Sequence, residues 1–264
     1  MTRVSSKLTY RRKPMQTITF FANKGGSGRT VSTMALASGF LAQGKRVGVM
    51  DCSDLAGCEA SPLRAWLQQI LRCELHRQQL KLIECETREE VEDGAAGAQA
   101  QGIDVLLIDT SARTYEPQLV ALDMADLIIA PAIGPLEAKH ISDSVAKYLD
   151  TPKQFYGLVI GSHNGLPIAA KTRKAFGFHH VLKSELPWAE ALSEQMLNGD
   201  IEQFVATLAC KPDEPGFARF RAAQAAWNAV QRLTFEVEWA FDGYRLEELD
   251  GDQSIAHFGR KAVA

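Results

Sequence analysis

The stretch NKGGSGRT, residues 23–30, decides the fold of this chain. The apolar run TITFFAN, residues 17–23, is typical of a buried strand, and TVSTMALASGFLAQG, residues 30–44, has the pattern of a helix. Glycines at such a junction let backbone N–H groups turn toward phosphate oxygens, and the helix N-terminus adds a positive dipole. We therefore predict a phosphate-binding loop in which the Thr30 hydroxyl binds Mg²⁺. The loop consists of Lys24, Gly25, Gly26, Ser27, Gly28, Arg29, Thr30 and Val31.

Strands and helices alternate along most of the chain. This alternation predicts an α/β fold with a doubly wound, mostly parallel sheet and helices on both faces. The predicted strands KRVGVMD and IDVLLIDT place Asp51 and Asp109 at their carboxyl ends. Ligands bind at that edge of such sheets, so we expect both aspartates to lie beside the glycine loop. Further strands are predicted at 80–86, 126–132, 155–163 and, more weakly, 179–187, and further helices include 62–76, 188–209 and 216–233.

Composition limits the class of protein. The chain has 264 residues, 46% of them hydrophobic, and a net charge of −3, which suits one large globular domain. We predict a basic, disordered extension over 1–14, with a DNA-binding or partner-binding arm as the alternative, a main domain over 15–234, and an acidic or mixed tail over 235–264 with a possible hairpin at 235–249. The five cysteines lack metal-ligand spacing, and no apolar run is long enough to span a bilayer, so a cytoplasmic protein is expected.

The glycine loop resembles the deviant Walker A motif of the ParA/MinD family, K-G-G-x-G-K-[ST]. Lys24, the glycines and Thr30 match this motif, whereas Arg29 stands where the family has a lysine. The resemblance implies a P-loop NTPase that binds ATP and Mg²⁺ as a nucleotide-sandwich homodimer. It also implies that Lys24 contacts the phosphates of the partner subunit, and that the catalytic residues are Lys24, Arg29 and Asp51.

Two departures from the family pattern concern hydrolysis. Arginine is a planar fork rather than a compact point charge, so Arg29 changes the fit around the phosphates. The family follows its second strand with D-x-D, but here Asp51 is followed by Ser53, and the next acid, Asp54, comes one residue late. Asp109 matches the family's Walker B acid, and the resemblance implies that Asp51 and Asp109, together with Thr30, hold the Mg²⁺ ion. We therefore predict ATP binding with weak hydrolysis, and the alternative is a scaffold that does not hydrolyse ATP.

Several stretches are similar to one branch of this family, the ATPase of the virulence C operon that assists T-DNA transfer. They include GKRVGVMD, QGIDVLLIDT, APAIGPLEAKHISDS and SELPWAEALSEQMLNGD. The similarity implies a role in conjugative DNA transfer or in plasmid partition, with a relaxosome or partition protein as partner. It also implies a polar or nucleoid-associated position in the cell.

The family resemblance further implies nonspecific DNA binding through surface Lys and Arg. The first candidates are Lys171, Arg173 and Lys174, which precede a second basic stretch over 179–183. An ordinary solvated face is the alternative interpretation. The acidic C-terminus lacks the basic amphipathic helix with which MinD relatives bind membranes, so no membrane attachment is predicted. A weaker set of DNA-binding candidates comprises Arg219, Arg221 and Arg232.

Overall fold

Parallel strands form the centre of the protein. The computed structural model describes residues 14–54, 56–72, 74–111, 116–148, 154–162, 167–177 and 179–242. The strands are β1 (Gln16–Phe20), β2 (Val47–Cys52), β3 (Leu80–Glu84), β4 (Val105–Thr110), β5 (Leu127–Ala132), β6 (Gln154–Ser162), β7 (His180–Val181) and β8 (Leu186–Pro187). The helices are α1 (Arg29–Ala42), α2 (Pro62–Ile70), α3 (Glu74–Gln79), α4 (Arg88–Ala100), α5 (Glu116–Met124), α6 (Pro135–Tyr148), α7 (Pro167–Ala175), α8 (Glu190–Ser193), α9 (Gln195–Asn198), α10 (Ile201–Thr207) and α11 (Phe217–Phe241).

The strand order is β3-β2-β4-β1-β5-β6-β7. The short strand β8 also pairs with β6, closer to the carboxyl end of β6 than β7 does. Every strand pair in the described residues is parallel. The chain runs outward from β1 through β2 to β3, returns to β4, and then continues on the other side of β1. The prediction of a doubly wound parallel sheet is therefore confirmed, and the loops after β1 and β4 meet at the edge where such sheets bind ligands.

Both faces of the sheet are buried. Side chains alternate between the faces along each strand, so Val105 and Leu107 of β4 pack on one side while Leu106 and Ile108 pack on the other. The first side is covered mainly by α1, α2, α10 and α11. On the other side, α4 and α5 cover one half and α6 the other. This double cover explains why the central strands read as continuous apolar runs.

Three sequence-based boundaries differ from the structure. The helix predicted over 62–76 ends at Ile70, and a separate short helix, α3, begins at Glu74. The weak strand predicted over 179–187 is two short strands, β7 and β8, because the chain leaves the sheet between them. The helical pattern over 188–209 is divided among α8, α9 and α10.

The C-terminal helix α11 corrects the predicted domain boundary at residue 234. It continues to Phe241, so the predicted hairpin is wrong for residues 235–241. Val237 and Ala240 are buried in the main core, and Glu238 binds the turn before β2 through Gln43 and Lys45. These residues therefore belong to the main domain. The rest of the predicted tail, from 243, and residues 1–13 of the basic extension lie outside the described residues.

A helix that crosses a membrane must be both long and apolar. In the part of the chain that the structure describes, no helix meets both requirements.

Candidate nucleotide site

The glycine loop connects β1 to α1, as predicted. Asn23 anchors its start, because the side-chain amide donates to the carbonyl of His140 at 2.8 Å and to Ser144 Oγ at 2.9 Å. Gly28 closes the loop at a φ of 89°, and a Cβ there would lie 2.5 Å from Ile160 Cδ1. Only glycine fits both conditions. The helix then begins at Arg29, so its free N–H groups face the loop.

Thr30 and Asp109 meet at the head of α1. The Thr30 hydroxyl donates to Asp109 Oδ2 at 2.6 Å, and Asp109 is 1% exposed. Asp109 pairs in register with Asp51 of β2 and with Phe20 of β1, so the two strand-end aspartates lie side by side. Burial raises the pKa of the Asp109 carboxyl to about 7, although the Thr30 hydrogen bond and the Arg29 charge oppose this shift. Burial thus outweighs the nearby positive charge of Arg29, so the charged form of Asp109 is disfavoured in this position.

The chemistry of this corner fits a magnesium ion. Asp109 Oδ1 is buried and has no hydrogen-bond partner, and the same is true of the Ser27 hydroxyl inside the loop. Carboxylate and hydroxyl oxygens are the ligands that Mg²⁺ takes, and it usually completes its shell with water and substrate phosphates. Within the described ranges no group of three His, Cys, Asp or Glu side chains could hold a metal. A Mg²⁺ ion held by Asp109 would take its remaining ligands from water and substrate phosphates.

Asp51 is already hydrogen-bonded by its own loop. Its Oδ1 accepts from the Ser53 N–H at 3.0 Å, and its Oδ2 accepts from the Ser61 hydroxyl at 2.6 Å. Ser61 is also the N-cap of α2, with Pro62 at the first helical position. Sequence analysis missed Ser61 as a site residue, although the Ser-Pro pair before an apolar helix was a readable signal. The roles of Asp51 on the metal and in catalysis remain predictions.

The Arg29 side chain reaches the end of β4. One of its terminal nitrogens, Nη1, donates to the carbonyl of Ser111 and, at 3.4 Å, to Thr110 Oγ1. Burial lowers the pKa of the guanidinium, and the nearby carboxylates of Asp109, Asp54 and Glu137 act in the opposite direction. Arginine stays protonated in proteins, so the loop carries a buried cation.

Two carboxylates near this cation were not predicted as site residues. Asp54 accepts from the Ser111 hydroxyl at 2.7 Å, so it is turned toward the end of β4. Glu137, in the first turn of α6, accepts from the Ile133 N–H at 2.9 Å, and its other oxygen is buried without a partner. The Asp54 contact had no local sequence signal, because it joins residues 57 positions apart, whereas Glu137 and Ile133 are only 4 positions apart.

An apolar cavity of about 250 Å³ lies next to the loop. Its wall on the far side follows β8, and Trp188 there remains 61% exposed. The Trp188 ring lies so close to Gly161 that a Cβ there would be 3.3 Å from Cε3. A concave apolar site beside a phosphate loop is suited to a flat aromatic ring. The residues that form it include Gly28 and Thr30 of the loop and Ile133, Ile160, Leu186, Pro187, Trp188 and Leu192.

The predicted DNA contacts separate into two groups. Lys171 and Lys174 are exposed on α7. Arg173, in contrast, binds the carbonyls of Leu182 and Lys183 and the carboxylate of Glu185. Its donors are engaged within the protein, and its role as a DNA contact stays a prediction. In the weaker set, Arg219 is paired with Glu190.

Comparisons with known proteins agree with this geometry. The family model described as VirC1 protein matches residues 15–169, which is more than half of the chain. Protein virC1 of Rhizobium rhizogenes is 25% identical over 156 residues, or 59% of this chain and 62% of that protein. The match thus spans less than two thirds of the relative's length.

Solved structures show the fold. The septum site-determining protein MinD of Pyrococcus horikoshii, complexed with Mg-ADP, has a TM-score of 0.56 at 14% identity and covers 84% of this chain and 96% of its own. A plasmid partition protein of Borrelia burgdorferi bound to AMPPNP has a TM-score of 0.52 at 14% identity, covering 82% and 99%. With its ParA/MinD fold and the match over residues 15–169, the chain belongs to the VirC1 protein family.

Proposed function

We propose that this protein binds ATP together with Mg²⁺ at the glycine loop. One observation carries the proposal: Asp109 Oδ1 is buried and unpartnered beside the Thr30 hydroxyl, at the N-terminus of α1. A cation held there neutralises the carboxylate, and the free N–H groups of the loop and helix receive the phosphates. The Mg-ADP and AMPPNP complexes of proteins with the same fold support this assignment.

Calorimetry with ATP tests the proposal. Thr30→Val keeps the side-chain shape and removes the hydroxyl, so we expect it to weaken Mg²⁺-dependent ATP binding by about tenfold or more, the order of one lost polar contact in a buried site. Thr207→Val is the matched control, because Thr207 lies exposed on α10, away from the loop. Absence of binding heat for the wild-type protein at millimolar ATP and Mg²⁺ contradicts the proposal.

We expect hydrolysis to be weak. Positioning of an attacking water requires stricter geometry than attraction of phosphate. Here Arg29 is directed to the Ser111 carbonyl, and Ser53 has no carboxylate. The double variant Arg29→Lys, Ser53→Asp should therefore release phosphate faster than the wild type in a single-turnover assay. An unchanged rate in a variant that still binds ATP contradicts this explanation.

A scaffold that binds a partner without hydrolysing ATP is the second candidate function. The buried, hydrogen-bonded position of Arg29 favours it, because that side chain is engaged before any ligand arrives. Phosphate release separates the two candidates: a wild-type protein that binds ATP and yields no phosphate supports the scaffold, whereas steady turnover excludes it.

DNA transfer or partition is the cellular process that we propose, with an ATP-dependent homodimer that binds DNA. Membership of the VirC1 family and the exposed Lys171 and Lys174 on α7 support it. We expect Lys171→Ala, Lys174→Ala to weaken binding to a nonspecific duplex and to reduce the salt dependence of that binding. Lys211→Ala is the control, since Lys211 is exposed on the segment between α10 and α11. Equal salt dependence in both variants contradicts the assignment.

A further inference from the structure

The chain between β7 and β8 leaves the sheet. Val181 pairs with Gly157 of β6 and Leu186 pairs with Ile160, so five positions on one chain face three on the other. Residues 183–185 are therefore displaced from the ladder and lose their regular backbone partners. Such backbone groups must find other partners when they are partly buried.

Arg173 of α7 supplies the donors for this displaced segment. Its Nη1 donates to the Leu182 carbonyl at 2.6 Å, and its Nη2 donates to the Lys183 carbonyl at 2.8 Å. Nε and Nη2 also form a fork on Glu185 Oε1, at 3.0 and 2.7 Å. One planar guanidinium thus binds three groups of the segment, the carbonyls of Leu182 and Lys183 and the carboxylate of Glu185, which a lysine ammonium does less well.

Glu236 of α11 supplies the acceptors. Its two carboxylate oxygens accept from the backbone N–H groups of Lys183 and Ser184, the latter at 2.8 Å. Glu236 is 6% exposed, so these hydrogen bonds compensate for its burial. The segment is held from two sides, by a cation on its carbonyls and an anion on its amides.

The held segment leads directly into the wall of the apolar cavity. Leu186, Pro187 and Trp188 follow it without a break, and all three line the cavity beside the glycine loop. Their placement relative to Gly28 depends on where the segment enters β8. The hydrogen bonds of Arg173 and Glu236 described above all go to residues 182–185, so these side chains act on the wall through the segment that leads into it.

We infer that Arg173 and Glu236 are positioning residues for the base-binding wall of the nucleotide site. The inference rests on the proposed function, and it specifies which part of the ligand the clamp serves: the nucleobase rather than the phosphates. It also gives helix α11 an indirect role in ligand selection, through the backbone of residues 183 and 184.

Two ligands that share phosphates but differ in the base test this inference. Mg²⁺-dependent binding of ATP and of inorganic tripolyphosphate is measured for the wild type, Glu236→Gln and Arg173→Lys. We expect both variants to weaken ATP binding by about tenfold, the order of one unsatisfied buried group, and to leave tripolyphosphate binding unchanged. Asn228→Ala, exposed on the same helix as Glu236, is the control and should match the wild type.

Acrylamide quenching of Trp188 fluorescence is the second measurement, with Trp188→Phe as the blank for the other tryptophans. Both clamp variants should increase the quenching of Trp188 while their far-UV circular dichroism stays that of the wild type. Arg173→Lys is the milder change and keeps the test open if Glu236→Gln does not fold.

The outcomes distinguish a failure of this inference from a failure of the proposed function. If ATP and tripolyphosphate weaken in parallel, or if neither changes, the clamp does not serve the base and the inference is overturned. If the wild type binds tripolyphosphate as tightly as ATP, the wall does not bind a base, and the inference fails while phosphate binding stands. If the wild type binds neither ligand, the proposed function fails and the inference fails with it.

Discussion

The substitution Asp109→Asn is the most informative test of how burial affects the charge at this site. Burial raises the pKa of Asp109 from 3.8 to about 7. At a pH between these two values, the Asp109 carboxyl is protonated in the folded protein and ionised in the unfolded chain. The unfolded state binds fewer protons in this range, and stability therefore falls as pH rises from about 4 to about 7. A shift of about three pKa units corresponds to about 4 kcal/mol of unfolding free energy.

Asp109→Asn removes this titration and keeps an oxygen that can accept from Thr30. Below about pH 4 both proteins carry a neutral side chain here, and the variant should have nearly the stability of the wild type. At pH 8 we expect the variant to be more stable than the wild type by up to about 4 kcal/mol. Most of this difference should develop between pH 5 and pH 7, with a slope of about 1.4 kcal/mol per pH unit.

Urea denaturation followed by circular dichroism at pH 5, 6, 7 and 8 measures the difference. Asp143→Asn is the control, because Asp143 is exposed on α6 and its substitution should leave the pH profile unchanged. Parallel pH profiles for Asp109→Asn and the wild type refute the reasoning, since they mean that the buried carboxylate has no unfavourable charge. Adding Mg²⁺ and ATP at pH 8 should stabilise the wild type and have little effect on Asp109→Asn.

Three further substitutions have defined outcomes. Gly28→Ala should destabilise the fold by at least about 1–2 kcal/mol in urea, because an alanine at positive φ also meets Ile160; a stability equal to the wild type contradicts this. Ser61→Ala should cost about 1–2 kcal/mol in the same assay, because it removes a helix cap and a donor to Asp51, while Ser61→Thr should largely retain both. Lys24→Ala should leave the unfolding free energy within about 0.5 kcal/mol yet prevent ATP-dependent dimers in sedimentation velocity; dimers that persist argue against a role across the interface.

Local patterns predicted the sheet and the loop well because the determining signals lie within a few residues. An apolar run, a glycine cluster and an amphipathic helix follow one another at 17–44, and nothing distant is needed to interpret them. The convergence of Asp51 and Asp109 follows from parallel topology alone.

Prediction failed where a charged residue has a distant partner. The acids after residue 234 suggested a tail, although Val230, Leu233, Val237 and Ala240 continue one buried stripe along α11. Glu236 binds backbone amides some fifty positions earlier in the chain. The sequence also contained no sign of the partners of Arg173 within the protein, since they come together only when β7 and β8 are in place.

The single carboxylate of Asp51 fastens both ends of the connection between β2 and α2, at Ser53 and Ser61. We expect the segment between these two serines to tolerate a change in length without a displacement of the sheet. Closing a somewhat longer loop costs little entropy once the two ends of the loop are fixed. Residues 57–60, all of them exposed, therefore offer a place for an insertion. A spectroscopic probe at the exposed Cys58, or a short foreign peptide in its place, would lie near the candidate nucleotide site while the core stays intact.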